Sequence, residues 1–130
     1  MSNAAQAGAV IFAKDLQRVA TFYEKLLGLT AVHSEPDHVL LASAPVELVI
    51  HAIPKVIADT FTIAVPPERR TETPIKLYFL VASIAEARAK AAALGGELNS
   101  PEGEWEARGF RACDGHDPEG NVLQLRELAP

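Results

Sequence analysis

The chain has 130 residues, twelve basic and seventeen acidic, for a net charge of −5 and a pI near 5.3. A domain of this size buries about two thirds of the surface its unfolded chain exposes, so it needs no structural metal or disulfide, and its one cysteine, Cys113, cannot form an internal bridge. The acidic balance argues against nucleic acid or an anionic membrane surface as a partner, and no apolar run reaches the roughly 18 residues of a membrane span, so a reducing cytoplasm is expected.

Met1 to Ala7 is small and polar with no signal-peptide pattern, and Ser2-Asn3-Ala4 has the look of a cloning scar outside the folded domain. Ala9 to Ala13 reads as a short strand, apolar on both faces. Asp15 then caps a helix over about Leu16 to Leu27, with Leu16, Val19, Ala20, Tyr23, Leu26 and Leu27 at helical spacing and Gly28 as the stop. Leu29 to Ser34 reads as a strand, Glu35-Pro36-Asp37 as a turn and His38 to Ser43 as the next strand. After a turn at Ala44-Pro45, Val46 to Ile53 alternates, with Val46, Leu48 and Ile50 on one face and Glu47, Val49 and His51 on the other. The pattern then weakens. It allows a strand at Phe61 to Val65 before a polar linker over about residues 66–74.

Lys76 to Val81 opens a second half that repeats the first. Ser83 caps a helix with Glu86 in capping-box position, Ile84, Ala87, Ala91 and Leu94 line one face, and Gly95-Gly96 ends it. A shift of 68 positions carries Asp15 onto Ser83, Leu16 onto Ile84 and Gly28 onto Gly96. A strand at Glu97 to Asn99, a turn at Ser100 to Gly103, a strand over about Ala107 to Asp114 and a last strand over Asn121 to Glu127 complete it. Pro118, Gly120 and Asn121 make Asp117 to Asn121 a tight turn feeding that last strand. The reading is one α+β domain over residues 1–130, built of two tandem βαβββ modules at about 8–65 and 75–127.

Asp15-Leu16, Phe22-Tyr23-Glu24-Lys25 and Leu27-Gly28-Leu29 in the first half, with Leu94-Gly95-Gly96 and Asp117-Pro118-Glu119-Gly120-Asn121 in the second, resemble the glyoxalase, bleomycin-resistance and extradiol dioxygenase superfamily, the vicinal oxygen chelate fold. The resemblance implies a cup-shaped mixed sheet with the helices outside, a small-molecule ligand and a homodimer. It also implies metal-ligand positions at Gly8, Glu47, Lys76 and Gln124. Family enzymes hold histidine, glutamine or glutamate there; glycine has no donor atom, lysine repels a cation and a lone glutamine binds weakly. No divalent metal is therefore expected at those four residues, and no other cofactor. Two functions stay open: a metal-independent protein that binds a small organic ligand, or a metal-dependent lyase, isomerase or dioxygenase using Glu47 and His51 in an altered register.

Strand parity, loop position and the resemblance each supply site candidates. His51 shares Glu47's face and Tyr78 shares that of Lys76, each with a ligand-facing and a packing reading. Trp105, the one tryptophan, either meets a ligand or packs under its own loop. Arg111 points to the ligand or to solvent, and Gln124 offers an amide. Cys113 reads as an inert buried thiol, and His33, His38 and His116 as surface residues.

Overall fold

The computed structural model describes residues 6–43 and 45–130. Most of the Met1 to Ala7 tail and Ala44 of the Ala44-Pro45 turn therefore lie outside the described residues. The residues group into two compact units, one ending at Thr62 and one beginning at Ile63. The architecture is mixed α+β, with one sheet in each unit.

The first unit runs β1 (Ala7–Ala13), α1 (Leu16–Leu27), β2 (Thr30–Glu35), β3 (His38–Ser43), β4 (Val46–Ala52) and a one-turn helix α2 (Lys55–Ala58). Its sheet has the order β1-β4-β3-β2, with β1 parallel to β4 and the other pairs antiparallel. Asp15 caps α1 by accepting the Arg18 N–H at 3.2 Å, and Gly28 closes it in the left-handed region at φ 66°. The apolar stripe of α1 buries Val19, Phe22, Tyr23 and Leu26 against Val39 and Leu41 of β3 and Leu48 and Ile50 of β4. Each such side chain contributes about 1.5–3 kcal/mol when fully buried, so this layer holds the unit together. The opposite face of the sheet is uncovered enough to leave Val10 and Phe12 more than half exposed.

The second unit runs β5 (Leu77–Leu80), α3 (Ile84–Ala93), β6 (Glu97–Leu98), a 3-10 turn (Pro101–Gly103), β7 (Trp105–Ala107), β8 (Phe110–His116) and β9 (Val122–Leu128). Its sheet has the order β5-β9-β8-β6, with β7 also pairing β8. As in the first unit, the strand before the helix lies parallel to the last strand, here β5 against β9. Ser83 caps α3 through the Glu86 N–H at 3.1 Å, and Glu127 of β9 accepts the Ile84 N–H at 2.7 Å.

Three expectations need correction. Residues 61–65 form no strand, because no neighbouring strand pairs with them, while the unexpected α2 lies just before. The expected strand Ala107 to Asp114 is a hairpin, in which β7 turns at Arg108 and Gly109, both at positive φ, into β8. In the repeat, α3 is two residues shorter than α1, ten against twelve, and the left-handed stop is Gly95 at φ 95° rather than Gly96.

Candidate functional site

Alternation along β5, β8 and β9 sorts the second sheet into two chemistries. Leu77, Phe79, Leu123 and Leu125 face the α3 side, and Tyr78, Gln124, Asp114 and Arg126 face the other. On that open face a polar chain crosses three strands. Lys76 Nζ lies 2.9 Å from Asp114 Oδ2, Asp114 Oδ1 accepts from Gln124 Nε2 at 3.2 Å, and Gln124 Oε1 accepts from Arg126 Nε at 2.7 Å. Gln124 is almost fully buried at 7% exposure, so its two amide bonds fix which end faces which neighbour.

The Arg126 guanidinium is held flat. Its Cζ sits 3.6 Å from the Tyr78 ring centroid and 4.2 Å from that of Phe110, a cation–π arrangement from β5 on one side and β8 on the other. Among the described residues its two Nη groups meet no hydrogen-bond or ion-pair partner. The planar donor edge is thereby oriented, charged and available. Tyr78 stands 59% exposed beside it. Trp105 of β7 pairs with Ala112, which pairs with Arg126, so the indole belongs to the same face.

Parity pairs Tyr78 with Lys76, and the structure brings Gln124 and Trp105, the latter on β7 rather than in a loop, to the same face together with Asp114, Phe110 and Arg126. Arg111 lies on the other face with Cys113. Its Nη2 donates to Glu106 at 2.7 Å and its Nη1 to Glu104 at 3.4 Å, and Glu104 also pairs with Arg88. Cys113 is fully buried, and burial pushes its thiol pKa up despite Arg88 at 3.6 Å from the sulfur, in keeping with an inert thiol.

Glu47 and His51 lie in the first unit, on the face opposite α1. His51 Nδ1 donates to the Ala52 carbonyl at 2.8 Å, and its ring stacks on His38 at 5.8 Å between centroids. The His38 hydrogen bond, 2.8 Å from Nδ1 to Asp37 Oδ1, holds the Asp37 carboxyl below its ordinary pKa. His116, expected on the surface, is a correction: it is 5% exposed because Arg69 lies over it, donating from Nε to His116 Nδ1 at 2.8 Å and from Nη1 to Asn99 at 2.6 Å.

Strand pairing also places the repeat. Gly8 pairs with Glu47 and Val10 with Val49, while Tyr78, the counterpart of Val10, pairs with Gln124. Val49, rather than Glu47, is therefore the register equivalent of Gln124.

This topology and this arrangement of sheet faces define a glyoxalase-type fold. A family model for the glyoxalase-like domain matches residues 8–126, and the chain belongs to that family. Solved structures agree on the fold. A glyoxalase/bleomycin resistance protein/dioxygenase family enzyme from Burkholderia phytofirmans PsJN is 18% identical, with 96% of this chain and 99% of that one covered and a TM-score of 0.70. A glyoxalase-related enzyme from Fulvimarina pelagi is 18% identical over 93% of this chain and 86% of that one, TM-score 0.67. A variant of the fosfomycin resistance protein FosX from Listeria monocytogenes, complexed with manganese(II) and a dihydroxypropylphosphonic acid, is 16% identical over 94% of this chain and 90% of that one, TM-score 0.64. No curated protein matches the chain.

Of the four implied ligand positions, Glu47 offers a carboxylate and the other three offer a divalent ion little. Gly8 offers no donor, the Lys76 ammonium is committed to Asp114, and both ends of the Gln124 amide are hydrogen-bonded within the protein. No helix among the described residues is long and apolar enough to cross a membrane.

Proposed function

We propose that this glyoxalase-like protein binds a small organic molecule carrying a carboxylate or phosphonate on the open face of its second sheet, without a divalent ion at the four implied positions. The observation that carries the reading is Arg126, whose guanidinium is clamped between Tyr78 and Phe110 and tied at Nε to Gln124 while its Nη edge stays unclaimed. A guanidinium fixed in this way loses little freedom on forming two parallel hydrogen bonds to a carboxylate or phosphonate oxygen pair. The exposed Tyr78 ring offers apolar area for the body of the ligand, and Trp105 offers more along the same face. Lys76 adds positive charge at the far end of the polar chain, tempered by its pairing with Asp114. The phosphonic acid bound by the FosX variant is an anionic small molecule of the same class.

A melting screen of small carboxylates and phosphonates against the whole chain tests this. Binders should raise the melting temperature of the wild type, and Arg126→Lys, which keeps the charge but loses the fork, should weaken them by at least about tenfold, roughly 1.4 kcal/mol. The reading fails if no anionic compound binds, or if Arg126→Lys binds them as the wild type does.

A further inference from the structure

We propose that Asp37, His38 and His51 form a binding site for a divalent transition-metal ion of the zinc(II) or nickel(II) kind, in the first unit and apart from the four family positions. The site is independent of the ligand reading above.

Its construction starts with the turn after β2, which puts Asp37 at the mouth of β3. The β3–β4 register then sets His38 directly across from His51. The two imidazoles are nearly parallel, 10° apart, and one donor atom from each of the three residues lies within 4.8 Å of the others. Asp37 Oδ2 is 3.9 Å from His51 Nε2. Four-coordinate zinc with ligands at about 2.0–2.2 Å places neighbouring donors roughly 3.3–3.5 Å apart, so closure needs shifts of about an ångström or less in half-exposed side chains.

Two further observations mark the cluster as built rather than incidental. A carbonyl only accepts, so the 2.8 Å bond from His51 Nδ1 to Ala52 O fixes the proton on Nδ1 and leaves the lone pair on Nε2, the atom that faces Asp37. Metal-binding histidines are oriented in this way, by a backbone or carboxylate acceptor behind the ring, whereas His38 Nδ1 donates to Asp37 Oδ1 at 2.8 Å, a proton that an incoming ion displaces. The turn is also pinned, because the Asp37 carbonyl accepts the Ala52 N–H at 2.7 Å, joining the same short segment of β4 that positions His51. Carboxylate and ligand-bearing strand therefore cannot drift apart.

The donor set selects the ion. Two imidazoles and one carboxylate suit zinc, nickel, cobalt or copper, whereas magnesium and calcium prefer all-oxygen cages. A fourth ligand is within reach, since the His33 ring lies 5.5 Å from that of His38 and its Nε2 now pairs with Glu35 at 3.1 Å. With water in that position instead, the ion would accept an exogenous donor.

The test uses tag-free, chelator-treated full-length protein and titration calorimetry with zinc(II), nickel(II) and magnesium(II). Zinc or nickel should bind at one equivalent and magnesium should not. His38→Ala and His51→Ala should each weaken binding at least tenfold, with circular dichroism confirming that both remain folded, and Asp37→Asn, at an exposed position, provides a milder third variant. The proposal is overturned if the wild type takes up no zinc or nickel, or if binding survives in both histidine variants.

Discussion

Gly120 and Gly109 share nearly the same backbone, with φ at +83° and +84°, yet they stand in different surroundings. A Cβ on Gly109 would meet nothing within 4 Å, while one on Gly120 would lie 2.0 Å from the Glu68 carbonyl oxygen, whose loop is tied down by the Arg70 N–H bonded to the Gly120 carbonyl. Gly109→Ala should therefore cost only the left-handed strain of about 1 kcal/mol, and Gly120→Ala at least twice that. Denaturant midpoints of the two variants, taken with unchanged slopes, check the ratio. The same scale shows what could be read from the sequence. Lys76 and Tyr78 share a face because a period of two is local to one strand, while Gln124 joins them through the pairing of β5 with β9. Arg126 lies two residues beyond Gln124 and was readable by the same parity. Its role was not, because the role depends on Phe110, which reaches it through the pairing of β8 with β9, and no spacing encodes that pairing. His116 was misread for a similar reason: the arginine that covers it comes from 47 residues away.

At the scale of elements, α3 begins with two capping oxygens from different parts of the chain, Ser83 next to it and Glu127 on β9. Glu127 also fastens the helix to the sheet, so Glu127→Ala should cost about 1–2 kcal/mol and should raise amide exchange first in the opening turn of α3. Exchange unchanged at Ile84 would rule this out. The helices were the most legible elements, since Asp15, Gly28 and Ser83 announce their ends through local chemistry. The β7–β8 hairpin was not. Positive φ at both turn residues marks the primed turn, which Asn-Gly or Asp-Gly usually signals, and here Arg108 stands in the first place. At residues 61–65 an apolar alternation was present without a partner strand, and a lone strand has nothing to bond to.

For the whole molecule, the repeat was visible as a shift of 68 positions and survives as the parallel pairing of first and last strand in each unit. The equivalence of Val49 with Gln124 was hidden, because strand register depends on pairing across the sheet. Stability of the entire chain should carry a signature of His116. Burial, reinforced by Arg69, depresses its pKa below the ordinary 6.5. The unfolded chain then takes up a proton that the folded chain resists, so this contribution is complete above about pH 6.5 and is lost as pH falls from there through the depressed folded value. His116→Asn, which keeps an acceptor for Arg69, should flatten the fall in melting temperature between pH 7 and 5; an unchanged slope would assign it to other groups. Finally, the only indole of the chain stands on β7 in line with Ala112 and Arg126, its backbone about 10 Å from that of Arg126 at two strand spacings. The protein thus carries an indole on one sheet and none on the other. Its intrinsic emission is an optical channel for events around Arg126, whereas a colourless ion such as zinc at Asp37 has no indole on its own sheet to announce it.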